Sequence, residues 1–229
     1  MKKVAILQSN YIPWKGYFDL IAAVDEFVIY DDVQFTKNDW RNRNMIKAPR
    51  GCEWITIPVG KAIHRSILEV PLPNSNWRVD HLKKFYNCYK NARYYDEIYS
   101  LLLPIYNSEK YLSLSQFNCA LLKTICDYLG IKTKFSYSWE YKTEGGRLER
   151  LIGICKLVGA SHYVSGPSAK SYICQDKFES NGLCFCWVDY QGYPEYPQLW
   201  GEFQHAVSVL DLLFNCGNTS TQYMKNIRQ

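Results

Sequence analysis

Several signatures that define protein classes are absent from this chain of 229 residues. No apolar run approaches the roughly 20 residues that a membrane-spanning helix needs. Met1, Lys2 and Lys3 lead directly into a short apolar segment rather than into the longer apolar region of a signal peptide. We therefore expect a cytoplasmic protein with no membrane span.

Metal-binding and nucleic-acid-binding patterns are also missing. The four histidines and nine cysteines form neither a Cys-x-x-Cys nor a His-x-x-x-His pair. We therefore expect no metal site. The alternative is a zinc site formed by Cys184 and Cys186 together with Cys174 or Cys216. We expect reduced thiols, mostly in the core, because the cysteine count is odd and no signal peptide precedes it. The net charge of +5 forms no dense basic stripe. We therefore expect no nucleic-acid partner unless a charged tRNA is a substrate.

What the chain does contain is an alternation of short apolar strands with helical patterns. Val4–Leu7 and Phe27–Tyr30 flank the helical segment Tyr17–Val24, and Glu53–Val59 alternates as a third strand. We expect these three strands to end at a common edge of the sheet. The remaining predicted elements are helices at Trp77–Tyr89, Tyr94–Tyr106, Ser115–Leu129, Arg147–Val158, Ala169–Ser180 and Ala206–Phe214, and strands at Leu68–Pro71, Phe135–Trp139, His162–Ser165 and Leu183–Val188. This order predicts an α/β fold with a mostly parallel, Rossmann-like sheet. We expect one domain over residues 1–229, with a helical insert or cap at about 77–130.

The loop between the first strand and the first helix is a candidate ligand site. Ligands of open α/β sheets bind outside the carboxyl ends of the strands, where this loop begins. Its candidate contacts are Gln8, Asn10, Tyr11 and Gly16. The alternative is a rigid structural turn.

Paired acids follow the second strand. Asp31 and Asp32 could hold a divalent cation, or one of them could act as a general base. They could instead cap backbone amides or pair with Arg41 and Arg43. Because adjacent strand residues point to opposite faces, both acids reach one ligand only if the strand has ended.

Basic residues come next in the chain. Lys37, Arg41 and Arg43 can bind a pyrophosphate or a carboxylate, because guanidinium groups make bidentate contacts with such anions. The alternative is a solvated basic surface. Trp40 and Asn44, interleaved with these cations, favour an anion site.

Four further candidates lie in the last third of the chain, together with a histidine. Ser165 and Gly166 end a predicted strand and could bind a ligand through a hydroxyl and a backbone amide, or could form an ordinary turn with Pro167. Tyr196 and Gln198 lie in an aromatic loop suited to stacking on a sugar or a base, and packing of this loop as a lid on the core is the alternative. His205, expected to open the last helix, is a candidate general acid or base, and the alternative is a helix cap.

Four segments together resemble one known family. They are QSNYIPWKGYFDLI, YDDVQFTKNDWRNRN, YPQLWGEF and SVLDLLFNCG. They resemble the WbqC-like family of bacterial proteins, and the resemblance covers about Val4–Gly217. Many members carry Pro after the Gln of the first loop and some carry His before it. Ser9 and Leu7 occupy those positions here.

The resemblance implies a role in surface-polysaccharide biosynthesis, as an acyl or aminoacyl transferase that attaches glycine or another acyl group to an amino sugar. The substrate expected on that basis is a small molecule, a nucleotide sugar. Asp32 or His205 would deprotonate its amine, and amides near Gly166 would stabilise the oxyanion. The acyl donor stays open between coenzyme A, a carrier protein, a charged tRNA and an amino acid with ATP. A metal-dependent nucleotidyl- or glycosyltransferase and a non-enzymatic sugar-nucleotide binding protein are the alternatives.

Overall fold

A computed structural model of the chain describes residues 1–171 and 173–227. Its strands are, in chain order, β1 (Lys3–Leu7), β2 (Glu26–Ile29), β3 (Arg43–Ala48), β4 (Gly51–Thr56), β5 (Lys134–Tyr137), β6 (His162–Ser165) and β7 (Cys184–Trp187). Five of them form a parallel sheet in the order β5-β2-β1-β6-β7. The expected α/β class with a mostly parallel, Rossmann-like sheet is confirmed.

Helices cover both faces of this sheet. They are α1 (Lys15–Ala22), α2 (Trp77–Tyr89), α3 (Tyr95–Tyr106), α4 (Leu114–Tyr128), α5 (Arg147–Leu157), α6 (Gln175–Glu179) and α7 (Val209–Cys216). Side chains of the central strands alternate between the two faces. Val4 and Val28 pack in one cluster with residues of α5, while Ala5 and Phe27 pack in the other with residues of α1, α4 and α7. Burial on both faces explains why residues 4–6 of β1 and 27–29 of β2 are all apolar.

The predicted third strand does not join the main sheet. Residues 51–56 form β4, which pairs antiparallel with β3 in a separate two-stranded hairpin. The expectation that Glu53–Val59 ends at the edge shared by the first two strands is therefore wrong. Only Pro49 and Arg50 separate β3 from β4, so a hairpin closes locally. A parallel partner would have needed a long crossover.

The helical region packs on the same core as the sheet. Buried residues of α2, α3 and α4 belong to one hydrophobic cluster with those of β1, β2 and the hairpin. This packing agrees with the prediction of one domain, which stays a prediction.

Three element predictions need correction. The predicted helix Ala169–Ser180 is a 3-10 turn over Pro167–Ser171 followed by the short α6, and Tyr172 lies outside the described residues. The predicted strand Leu68–Pro71 contributes only an isolated bridge at Pro71. The last helix begins at Val209 rather than at Ala206, because Ser208 accepts a hydrogen bond from the Leu210 amide and caps it.

Candidate ligand site at the carboxyl edge of the sheet

A cavity of about 340 Å³ lies at the carboxyl ends of β1 and β6. The chain lays β2 and β5 on one side of β1 and then crosses to lay β6 and β7 on the other side. The crevice at such a change of direction is where open α/β sheets bind ligands. We call it the switch-point cavity. Its lining residues are Leu7, Asn10, Pro13, Trp14, Tyr17, Trp40, Arg41, Asn44, Gly166, Ser168, Tyr190 and Ala206.

Arg41 brings a positive charge to this cavity. Its guanidinium donates hydrogen bonds to Asn10 Oδ1 and, at 3.2 Å, to Gln8 Oε1. Asp39 lies 3.9 Å away, at the limit of an ion pair. The side chain of Arg41 is 14% exposed, so its charge is largely withdrawn from solvent. Neutral amides therefore orient the guanidinium without neutralising it, which leaves its charge available to an anion.

The loop after β1 is held in an unusual backbone conformation. Ile12 has a φ of +37°, in a region that β-branched residues rarely adopt. The side-chain amide of Asn44 donates to the carbonyl oxygens of Tyr11 (3.1 Å) and Ile12 (3.0 Å). Asn44 lies on β3, a strand that was not predicted from the sequence, so the hairpin fixes the shape of this loop from outside the main sheet. Strain of this kind is concentrated at functional sites.

Aromatic side chains form the walls of the cavity. The Trp14 and Tyr190 rings meet edge to face, with centroids 5.0 Å apart. A Cβ atom on Gly16 would lie 2.3 Å from the Trp14 indole. Gly16 is not among the residues that line the cavity, and its lack of a side chain lets the indole fold against the start of α1. Burial raises the pKa of Tyr190 to about 12, so this phenol stays protonated near neutral pH.

The end of β6 supplies the opposite side of the cavity. Gly166 lines it, and a Cβ atom there would lie 3.4 Å from the Tyr190 hydroxyl. Ser165 is buried as the last residue of β6 and is not among the lining residues, whereas Ser168 is. Of the predicted substrate contacts, the structure brings Asn10, Arg41 and Gly166 together around one cavity, with Gln8 bonded to Arg41.

Asp31 is buried away from the cavity. Its carboxylate accepts hydrogen bonds from the Ser9 amide (2.8 Å), the Ser9 hydroxyl (2.6 Å) and the Ser115 hydroxyl (2.5 Å). Burial raises the pKa of Asp31, although these three donors oppose the shift. Asp31 thus anchors the first loop to α4 and is not among the residues that line the switch-point cavity, and its predicted catalytic role stays a prediction.

Asp32 points in a different direction. It accepts a hydrogen bond from Ser138 and forms an ion pair with Arg150 at 2.6 Å, on α5. The two acids therefore bond neither to Arg41 nor to Arg43, and they do not converge on one ligand. β2 ends at Ile29, so both acids lie beyond the strand, and their different partners on α4 and α5 hold the two carboxylates apart. Asp32 is not placed as a general base for the cavity.

Three other candidates also lie outside the cavity. Tyr11 is a core residue, whose hydroxyl bonds to His81 Nδ1 (2.7 Å) and to Tyr106. Arg43 stacks on the Trp54 ring at 4.1 Å on the outer side of the hairpin. Lys37 is exposed and lines a separate hollow of about 350 Å³.

The predicted aromatic loop contacts are part of a buried network. The Tyr196 hydroxyl donates to Asp211 at 3.0 Å, and the Gln198 amide donates to Tyr196 at 3.0 Å. Lys47 is buried and donates to Gln198 Oε1 at 2.8 Å. Tyr196 and Gln198 therefore hold their loop against α7 instead of facing a ligand. His205 is exposed, packs against Phe203 at 4.5 Å, and does not open the last helix.

Several lining residues were not among the predicted contacts. Trp14 was interpreted only as part of a rigid turn, and Trp40 and Asn44 only as neighbours of the cations. Their position beside predicted contacts was the available signal. Tyr190 carried no such signal, because it comes from a distant loop. Lys15, buried beside the cavity wall, was also missed.

Within 1–171 and 173–227, no group of three or more His, Cys, Asp and Glu side chains is placed to share a metal ion. No helix in that part of the chain has the length and apolarity to cross a bilayer.

Comparison with known proteins places this geometry in a family. A curated protein from Mycobacterium tuberculosis, described as uncharacterized protein Rv1507c, is 50% identical over 232 residues, which cover 100% of each chain. No solved structure is significantly similar. The sequence profile of the WbqC-like protein family matches residues 8–223, which include the first loop, the hairpin and the last helix. The chain therefore belongs to the WbqC-like protein family.

Proposed function

We propose that this protein is a transferase that binds a nucleotide-linked amino sugar in the switch-point cavity and acylates its amine during surface-polysaccharide biosynthesis. The observation that carries the ligand class is Arg41, a weakly exposed guanidinium held by neutral amides inside an aromatic cavity. The reaction class comes from the family resemblance. Glycine is the simplest acyl group consistent with that resemblance.

The cavity suits the two parts of such a ligand. Arg41 and Asn10 offer hydrogen-bond donors to a diphosphate, which guanidinium binds in a bidentate manner. Trp14, Trp40 and Tyr190 offer rings to a sugar or a base. The volume of about 340 Å³ lies in the range of small-molecule sites, and Trp40 is 42% exposed, so part of the ligand extends over the rim.

The chemistry at this site rests on positioning. No Asp, Glu or His is among the residues that line the cavity. Burial keeps the Tyr17 and Tyr190 phenols protonated by raising the pKa of both groups. The sugar amine would attack the acyl carbonyl carbon, the bond between that carbon and the donor group would break, and the amine proton would pass to the departing donor group or to solvent. Holding amine and carbonyl in contact supplies the rate enhancement in this scheme.

A non-enzymatic sugar-nucleotide binding protein is the second candidate. The absence of Asp, Glu and His from the residues that line the cavity favours this non-enzymatic candidate. The two candidates share the ligand and differ in turnover. Incubation with a nucleotide-linked amino sugar and a set of acyl donors, followed by mass spectrometry, distinguishes them, because only the transferase adds acyl mass to the sugar.

Calorimetric binding of a panel of nucleotide sugars to Arg41 variants tests the ligand class. We expect Arg41→Ala to weaken binding by about 1–3 kcal/mol, the scale for hydrogen bonds to a charged group. Arg41→Lys should bind more tightly than Arg41→Ala but more weakly than the parent, because an ammonium cannot make the bidentate contact. Arg50→Ala, at an exposed arginine beyond β3, is the matched control. A folded Arg41→Ala protein that keeps parental affinity for the panel would remove the basis of the proposal.

A further inference from the structure

A second cleft opens at the same edge of the sheet, beyond β5. Its volume is about 720 Å³, and we call it the lysine cleft. Tyr137 ends β5, which runs parallel to β2, so the cleft and the switch-point cavity share the carboxyl edge. Its lining residues include Lys110, Tyr111, Ser115, Lys123, Tyr137 and Trp139.

The charge of the lysine cleft is of one sign. Lys110 and Lys123 line it, and no Asp or Glu is among its lining residues. The Lys123 ammonium donates to the Tyr137 hydroxyl at 2.6 Å and lies 5.1 Å from the centre of that ring. Lys110 lies 5.0 Å from the centre of the Tyr111 ring. Aromatic rings and a neutral hydroxyl thus position both cations, and neither contact cancels the positive charge.

The cleft also presents a pair of aromatic rings. The Tyr137 and Trp139 rings pack against each other, with centroids 4.7 Å apart and 31° between their planes. Trp139 is 40% exposed, so part of its indole is open to the cleft and to solvent. Rings of this kind stack on nucleobases, whose flat faces all offer the same contact. Lysines beside them suit phosphates as compact point charges.

A buried hydrogen-bonded bridge joins the two sites. Ser115 lines the lysine cleft, and its hydroxyl donates to Asp31. The same carboxylate accepts from the amide and hydroxyl of Ser9, the residue before Asn10 of the switch-point cavity. Asp31 therefore fixes the two sites relative to each other. A transferase needs such a fixed relation between its two substrates.

We propose that the lysine cleft binds a phosphorylated nucleoside, with phosphates on Lys110 and Lys123 and the base on Tyr137 and Trp139. This nucleoside would be the second substrate, which carries or activates the acyl donor, and that role rests on the proposed function. ATP and coenzyme A both contain this chemistry. The binding of a phosphorylated nucleoside is argued only from the residues of the cleft and does not depend on the transferase function.

Isothermal titration calorimetry of the full chain with ATP and, separately, with coenzyme A tests the assignment. It also shows which of the two supplies the phosphorylated nucleoside. We expect at least one of them to bind, and both Lys123→Ala and Trp139→Ala to weaken it roughly tenfold. Adenosine, which carries only the base and ribose, should bind more weakly to Trp139→Ala than to the parent. Pyrophosphate, which carries only phosphates, should bind more weakly to Lys123→Ala. Both positions are exposed, and melting temperatures check that the variants fold.

Two controls separate this site from the switch-point cavity. Lys83→Ala, at an exposed lysine on α2, and Arg41→Ala should leave ATP and coenzyme A binding unchanged. The assignment is overturned if neither ligand binds at millimolar concentration, if folded Lys123→Ala binds as the parent does, or if Arg41→Ala abolishes binding. If nucleotide sugars fail to bind while ATP or coenzyme A binds as expected, the lysine cleft stands and the transferase function fails.

Discussion

At the scale of single residues, burial assigns similar side chains to different tasks. Arg41 and Arg43 are two positions apart, yet one lines the switch-point cavity and the other stacks on Trp54 outside it. Asp31 and Asp32 are adjacent, yet one anchors a loop and the other forms an ion pair with a helix. Asp211 is a third acid with a structural task, since it accepts hydrogen bonds from Tyr89 and Tyr196 at 3.0 Å each.

Stability should depend on pH through Asp211. Burial raises the pKa of this carboxyl from 3.8 to about 6, although two tyrosine hydroxyls and Lys47 favour the charged form. Between about pH 4 and 6 the folded state therefore binds the proton more tightly than the unfolded state does. The contribution of Asp211 to the free energy of unfolding falls as pH rises through that window, by up to about 2–3 kcal/mol, and is constant above it.

Urea denaturation of the parent and of Asp211→Asn from pH 4 to 7 measures this effect. The variant cannot titrate at this position, so the difference between the two free energies of unfolding should change by the stated amount and then level off above pH 6. Asp127→Asn, at an exposed acid on α4, is the control and should follow the parent. Parallel pH profiles for the parent and Asp211→Asn would contradict the prediction.

At the scale of elements, the loop of residues 189–206 behaves as a fixed wall of the switch-point cavity. Tyr190 and Ala206 from this loop line the cavity. Buried polar contacts hold the loop down: Tyr193 donates to Asp19 on α1 at 2.6 Å, and Lys15 donates to the Pro194 carbonyl at 3.0 Å. The Lys15 ammonium also lies about 5 Å from the centres of the Tyr193 and Tyr196 rings. Burial lowers its pKa to about 8.

Replacing Lys15 should loosen this loop. Lys15→Met keeps the apolar stem but loses the hydrogen bond to Pro194 and the contacts between the ammonium and the rings. We expect amide hydrogen exchange over residues 189–206 to rise on the order of tenfold, since a hydrogen bond to a charged group contributes about 1.5–3 kcal/mol. Affinity for nucleotide sugars should fall with it, because Tyr190 is part of the same loop.

Hydrogen exchange measured by mass spectrometry gives the local readout. Lys142→Met, at an exposed lysine before α5, controls for the loss of a positive charge. An exchange rate over 189–206 equal to that of the parent would show that the other anchors suffice without Lys15. Faster exchange throughout the chain would indicate global destabilisation instead of a local effect.

At the scale of the whole molecule, two hydrophobic clusters enclose the sheet, and cysteines are distributed between them and the surface. Cys88, Cys119, Cys126, Cys155 and Cys216 are buried, Cys52, Cys174, Cys184 and Cys186 are exposed, and all nine are free. Burial raises the pKa of Cys119 and Cys155 to about 12. Such thiols carry almost no thiolate near neutral pH, and they are also shielded from reagents.

Thiol counting should therefore give two numbers. We expect the four exposed cysteines to react quickly in the native protein and all nine to react after denaturation without reductant. The slow remainder in the native protein should react at the rate of unfolding. Fewer than nine thiols in freshly prepared, denatured protein would contradict the prediction. A fast native count well above four would show that the two clusters are looser than described.

The sequence by itself determined the local elements and the family. Helix Trp77–Tyr89 and strand His162–Ser165 have the predicted bounds, and most other elements agree within about two residues. Local periodicity is enough for this because a helix or a strand exposes its buried face at a fixed spacing. The motifs around the first loop and the last helix likewise placed the chain in the WbqC-like family before any fold was known.

Only the tertiary structure decided which candidates share a site. Asn10, Arg41 and Gly166 meet through contacts between segments far apart in sequence, and Asn44 supports them from a hairpin whose first strand was not predicted from the sequence. Asp31 and Tyr196 are polar as well, yet their side chains are hydrogen-bonded to partners inside the protein. Asp31 accepts from Ser115, 84 residues away, and Tyr196 donates to Asp211, 15 residues away. No local pattern encodes such pairings, because a polar side chain looks the same in sequence whether it faces a ligand or a buried partner.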